Sequence, residues 1–177
     1  KLNKKTFMYS EGTKLNILIK NLLDDANIKT SKAKIEELIT EKDLEYKNNN
    51  KIIFYPNTIK VIKFLKSKNI KTAIVTAGSK NRVFSTLPKF FLKLFDDLIT
   101  GDECKFGKPH SEPYLKAMKK LNLKNYNCCV LENAPLGIES ALNANLFTFG
   151  ITNTLNKKYL SKANIIISDI LKVCIKG

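Results

Sequence analysis

Between Lys14 and Leu23 the apolar residues Leu15, Leu18, Ile19, Leu22 and Leu23 recur at the i, i+3, i+4, i+7, i+8 spacing of an amphipathic helix. A second helical pattern covers Ser31 to Tyr46, with Ile35, Leu38 and Ile39 on its inner face and Ser31 placed to cap it. The polar run "KNNNK" then breaks the periodicity, so residues 1–50 are predicted to form a small helical unit joined there by a linker. Beyond it the period changes. "NTIKVIKFLKSKN" reads as a helix, "TAIVT" as a strand, "SKNRVFSTL" as a helix and "DLIT" as a strand. "EPYLKAMKKL" follows as a helix with Pro113 in its first turn, "CCVLE" as a strand and "LGIESALNAN" as a helix, then "LFTFG" and "NIIIS" as strands. Short apolar strands separated by helices are the signature of a parallel sheet covered on both faces. Residues 51–177 are therefore expected to form a doubly wound, Rossmann-like α/β core, in which ligands bind at the carboxyl ends of the strands.

Bulk properties narrow the function classes. With 177 residues and 44% hydrophobic content, the chain can bury one ordinary core with a small appendage. No apolar run approaches the roughly 20 residues needed to cross a bilayer, so no membrane role is indicated. A formal charge of +15 invites a nucleic-acid reading, but Arg82 is the only arginine and the lysines are scattered. That distribution argues against nucleic acid as the partner. Cys104, Cys128, Cys129 and Cys174 have no zinc-like or CxxC spacing and read as small apolar residues of a protein in the reducing cytoplasm.

Three strand ends carry candidate chemistry. In "TAIVTAGSK", Thr76 is followed by Ala77, Gly78 and Ser79 at the start of a helix. Such a stretch can offer a hydroxyl and several backbone amides to a phosphate, or Ser79 can simply cap the helix while Gly78 eases the turn. In "GDECKFGKPHSEPYL", Lys108 lies between Gly107 and Pro109 on a loop before a helix. It can deliver a point charge to a phosphoryl oxygen, or be one more solvated lysine. In "VLENAPLGIESA", Glu132 and Asn133 end a strand, and Pro135 and Gly137 begin a helix that closes at Asn145. A carboxylate and an amide oxygen are hard ligands suited to Mg²⁺, and they are equally able to satisfy turn amides.

In order and spacing, these stretches resemble the second, third and fourth motifs of the haloacid dehalogenase superfamily, most closely its β-phosphoglucomutase-like phosphatases. The resemblance rests on "FYPNTIKVIKFLKSKNIKTAIVT", "FGKPHSEPYLKAM" and "LENAPLGIESALNA". It implies that Thr76 with the backbone of Ala77 and Gly78 binds a phosphoryl group, that Lys108 stabilises its charge, and that Glu132 and Asn133 hold Mg²⁺. Residues 1–50 resemble the family's helical cap, whose loop "YSEGTKLNIL" would place Thr13 or Lys14 against the leaving group. The implied protein is a monomeric, cytoplasmic, Mg²⁺-dependent phosphatase of small phosphorylated metabolites. A sugar-phosphate mutase is the near alternative, and a noncatalytic remnant that binds a phosphorylated ligand or a protein is the distant one.

The chain departs from the pattern in its first motif. The family's aspartate nucleophile lies in a DxDG motif, and none of Asp24, Asp25, Asp43, Asp96, Asp97, Asp102 or Asp169 stands in that context. The strand that carries it would lie mid-sheet between "TAIVT" and "CCVLE". Its loss would leave buried backbone groups unpaired, at roughly 1–3 kcal/mol each. The chain starts at Lys1, not Met, and the expectation is that an upstream segment supplies both strand and nucleophile. Asn133 stands where many relatives carry aspartate, which should weaken Mg²⁺ binding. Ser111 replaces a common proline without obvious chemical consequence, and His110, the only histidine, reads as a surface loop residue.

Overall fold

The structure, a computed structural model, describes residues 3–48 and 52–174. Three helices come first: α1 (Lys4–Tyr9), α2 (Leu15–Asp25) and α3 (Lys32–Asn48). Of these α1 was not legible in the apolar pattern; Asn3 Oδ1 caps it by accepting the Lys5 amide (2.9 Å). Ser31 does start α3, its hydroxyl accepting the Lys34 amide (3.2 Å). The helix runs on to Asn48, past the expected break, and residues 49–51 of the "KNNNK" run lie outside the described residues.

The α/β part follows as α4 (Thr58–Ser67), β1 (Ala73–Val75), α5 (Lys80–Thr86), α6 (Lys89–Leu92), β2 (Asp97–Ile99), α7 (Glu112–Leu121), β3 (Cys129–Glu132), α8 (Pro135–Asn143), β4 (Phe147–Ile151) and β5 (Ile165–Ile167). All pairings are parallel, as the strand pattern implied. The ladder falls into two pieces, β1 with β2 and β3 with β4 and β5. The interruption lies between β1 and β3, where the resemblance places a further strand.

Helix ends explain part of the asparagine content. Asn27, Asn69, Asn122 and Asn145 follow α2, α4, α7 and α8, and all four adopt positive φ of 54–56°. In each case the next residue, Ile28, Ile70, Leu123 or Leu146, donates its amide to the carbonyl five residues back (2.9–3.0 Å). This is the left-handed helix stop with an apolar residue behind it, built on Asn in place of Gly.

The core joins both pieces of the sheet. Val75 of β1 packs against the buried cluster of Tyr114, Val130, Ala141, Ala144 and Leu146, and also against the cluster of Ile99, Cys104 and Ala117. On the other side of α8, Ile138, Leu155 and Leu160 are buried, and the half-buried Met8 of α1 packs against them, tying that helix to the α/β part. Burial on both faces is incomplete at β3. Val130 and Glu132 point into the protein, while Cys129 and Leu131 are exposed, as is Phe147 beside Cys129 in register. Of the four cysteines, all free thiols, Cys104 is buried as expected and Cys129 is not. Strand alternation puts Cys129 on the open face.

Candidate phosphoryl site at the strand ends

The carboxyl ends of β1 and β3 meet the loop before α7 at a cleft of about 820 Å³. Thr76 leaves β1 with its amide still paired to the Ile99 carbonyl (2.9 Å). Its hydroxyl oxygen accepts the Gly78 amide (3.1 Å), so the hydroxyl proton remains available to a ligand. Gly101 cradles this turn: its amide donates to the Gly78 carbonyl (2.8 Å), and a Cβ at Gly101 would collide with the Ala77 carbonyl. Ser79 caps α5 by accepting the Arg82 amide (3.3 Å). Both readings of this stretch thus coexist on different residues.

Lys108 is only 6% exposed. Its ammonium donates to the Val75 carbonyl of β1 (3.1 Å) and to Glu132 Oε1 of β3, and so spans the interruption in the sheet. It also lies 5.2 Å from the centroid of the Tyr114 ring. The Tyr114 hydroxyl donates to the same Glu132 oxygen (2.6 Å), and Glu132 Oε2 accepts the Asn133 amide (3.1 Å). Burial, then the Glu132 charge and hydrogen bond, push the Tyr114 phenol well above its usual range, so it stays a donor. Gly137 makes room for the carboxylate, since a Cβ there would overlap it. This buried ion pair has every oxygen engaged, the condition under which a buried charge is tolerable.

Asn133 lines the cleft with its Nδ2 donating to Thr154 Oγ1 (2.8 Å), which leaves its oxygen for a ligand. No group of three or more His, Cys, Asp or Glu side chains able to hold a metal occurs among the described residues. Mg²⁺ commonly takes one or two carboxylates and completes its shell with water and phosphate oxygens, so Glu132 and Asn133 fit it as a partial oxygen donor set.

The cleft unites all eight residues singled out from the sequence: Thr13, Lys14, Thr76, Ala77, Gly78, Lys108, Glu132 and Asn133. Thr13 and Lys14 direct their polar atoms at main-chain carbonyls of the Lys108 loop, Thr13 at Lys108 itself (3.2 Å) and Lys14 at Cys104 (2.7 Å). Residues not anticipated also line it. Glu11 sits across from Glu132, and burial followed by that neighbouring charge raises its carboxyl above the usual range. Lys42 of α3 faces Arg82 of α5, and burial followed by Arg82 lowers its ammonium. Tyr114 had one signal, an aromatic with a polar tip on the inner face of "EPYLKAM". Glu11, Lys42 and Arg82 carried none beyond their charge.

Several aspartates that lack the nucleophile's sequence context have structural partners of their own. Asp102 accepts the Lys80 amide at the start of α5 (3.0 Å), Asp43 pairs with Arg82 (3.7 Å) and Asp96 accepts the Thr72 amide (2.8 Å). His110 stacks on Phe106 (4.8 Å between centroids) in the exposed loop, as its placement implied. No helix among the described residues is long and apolar enough to cross a membrane.

Residues 4–151 match the family model of haloacid dehalogenase-like hydrolases. Over 110 residues, 62% of this chain and 52% of the relative, the sequence is 34% identical to a validoxylamine A 7'-phosphate phosphatase from Streptomyces hygroscopicus subsp. limoneus. Over 103 residues, 57% of this chain and 48% of the relative, it is 33% identical to a phosphorylated carbohydrates phosphatase from Thermotoga maritima. The chain thus spans about half the length of the curated relatives it matches. A crystal structure of β-phosphoglucomutase from Clostridium difficile superposes with a TM-score of 0.78 at 25% identity, covering 99% of this chain and 82% of that one.

Proposed function

The chain belongs to the haloacid dehalogenase-like hydrolases, and on that premise we propose that it is a phosphatase of small phosphorylated metabolites. The observation that carries the reading is the Lys108 ammonium, buried at the ends of β1 and β3 in the same cleft as the Thr76 hydroxyl. A phosphoryl group in that cleft would take hydrogen bonds from Thr76 Oγ1 and from the backbone of Ala77 and Gly78, with Lys108 balancing its charge. Mg²⁺, when bound, would be held by Asn133 and Glu132 and would offset phosphate charge. The helices within residues 1–50 act as a cap over the core formed by residues 51–177. The phosphate class named for the two curated relatives supports a phosphorylated carbohydrate or related metabolite as substrate.

The nucleophile in this proposal is an aspartate on a strand seated between β1 and β3, which would attack phosphorus to give an aspartyl-phosphate that water then cleaves. An intact mass above the 20.1 kDa of these residues, with DxDG in the excess, is the expected finding. That protein should release inorganic phosphate from hexose and pentose monophosphates in a Mg²⁺-dependent way, and Lys108→Ala should abolish the release. Absence of turnover on such a panel in a preparation that carries the strand would overturn the proposal. The likeness to a β-phosphoglucomutase favours one second reading, a mutase. It is distinguished by product: an isomerised sugar phosphate in place of free phosphate. The protein is proposed to work as a cytoplasmic monomer, which size-exclusion chromatography and fractionation would test.

A further inference from the structure

The loop Ser10–Lys14, between α1 and α2, is wedged among the site's own loops. Ser10 and Thr13 are buried. Gly12 has φ of +95°, and a Cβ on it would stand 3.0 Å from the Ala134 Cβ and 3.3 Å from the Gly137 nitrogen, against the turn that carries Glu132 and Asn133. On its other flank Thr13 Oγ1 donates to the Lys108 carbonyl (3.2 Å) and Lys14 Nζ to the Cys104 carbonyl (2.7 Å). The Lys14 stem crosses Gly107 so closely that a Cβ there would lie 3.1 Å from its Cγ and Cε.

The α/β part holds the same loop at other points. Glu112 accepts the amides of Lys105 (2.9 Å) and Phe106 (2.7 Å), Asn143 donates to the Pro109 carbonyl (3.0 Å) and Ser140 to the His110 carbonyl (2.6 Å). Among the described residues, the carbonyls of Cys104 and Lys108 receive their hydrogen bonds from Lys14 and Thr13. The main chain at Lys108 is therefore fixed from the helical unit, while its ammonium is fixed from the two sheet edges. Because a lysine side chain is long and rotatable, the placement of its ammonium depends on where its Cα is held.

We propose that Thr13 and Lys14 are positioning residues for Lys108: they clasp its loop by the main chain, so that docking of the helical unit and presentation of the ammonium are one event. The inference rests on the phosphoryl role proposed above for Lys108. It assigns the two residues an action through Lys108, distinct from contact with a leaving group.

The test combines amide exchange with inorganic phosphate affinity in wild type, Thr13→Val, Thr13→Ser, Lys14→Met and Lys108→Ala. Thr13→Val and Lys14→Met should speed exchange of the Lys105, Phe106 and His110 amides, and weaken phosphate binding, by about five-fold, the scale of one lost hydrogen bond. The β4–β5 ladder amides should be unchanged. Thr13→Ser, which keeps the hydroxyl, should restore both readouts, a rescue that a general packing defect would not give. Wild-type exchange at these amides in Thr13→Val and Lys14→Met would overturn the clasp. So would faster exchange with phosphate affinity unchanged while Lys108→Ala loses it. If Lys108→Ala binds phosphate like wild type, the phosphoryl role of Lys108 falls separately, and the exchange difference and its rescue by serine still decide the clasp.

Discussion

The floor and the roof of the cleft are built on opposite plans. On the floor, Lys108, Glu132 and Tyr114 are buried and mutually satisfied, and Gly137 leaves just the room the Glu132 carboxylate needs. On the roof, Glu11, Lys42 and Asp43 are half-exposed or exposed, and no described residue donates a hydrogen bond to the Glu11 carboxylate. Asp43 Oδ1 is shut off from solvent yet, among the described residues, accepts no hydrogen bond and has a loose ion pair with Arg82. The buried groups of the floor are thus paired with one another, whereas the roof holds charges with unmet hydrogen-bonding capacity. Under the proposed function, substrate identity would be read by the adjustable charges above, over a fixed phosphoryl seat below.

Changes on the floor should be the costly ones. Glu132→Ala strips the partner from a buried ammonium and should destabilise by about 3–5 kcal/mol, a fall in Tm of roughly 10 °C, measured by thermal denaturation. Gly137→Ala forces a methyl group into the Glu132 carboxylate and should cost about 1–3 kcal/mol by the same assay. If either is silent, the floor is not the rigid element described here.

Two acid groups sharpen the contrast through pH. The Glu112 carboxyl is held down at about 2 by its hydrogen bond with Lys116, then by the amides of Phe106 and Lys105. Its stabilisation is present above its ordinary value of 4.5 and is lost as pH falls from there towards 2. Glu112→Gln should therefore lower Tm by a few degrees at pH 7, with the gap closing as pH approaches 2. Glu11 has the opposite sign. Its raised carboxyl keeps a proton better in the folded state, so its contribution is full below the ordinary value and lost as pH rises through the folded one. Glu11→Gln should leave Tm unchanged near pH 4 and raise it on the order of 1–2 °C at pH 7. An equal effect at both pH values would remove the electrostatic account of the roof.

Much of this was legible before the structure. The change in apolar period gave every strand and all the longer helices, because each is long or apolar enough to show its period in the sequence. The missed α-helices are α1 and α6, six and four residues long, too short to establish a period. α6 is braced by the ring of Phe91, which meets the distant Phe54 (4.6 Å) and the neighbouring Phe95 (5.2 Å). The helix stops at Asn27, Asn69 and Asn122 carry the same signal as Asn145, an Asn followed by Ile or Leu at the end of a periodic stretch. On the floor, Thr76, Lys108 and Glu132 could be picked out because each ends a strand or precedes a helix. The roof could not, since Glu11, Lys42 and Arg82 converge only through the packing of α3 on α5 and the docking of the Ser10–Lys14 loop.

The central claim is that Thr76 and Lys108 form one phosphoryl seat, and titration calorimetry with inorganic phosphate tests it most directly. The expected result is saturable binding by the wild-type protein that weakens about ten-fold or more in Lys108→Ala, the loss of a charged hydrogen bond, and less in Thr76→Val. Equal phosphate affinity in wild type and Lys108→Ala would contradict it.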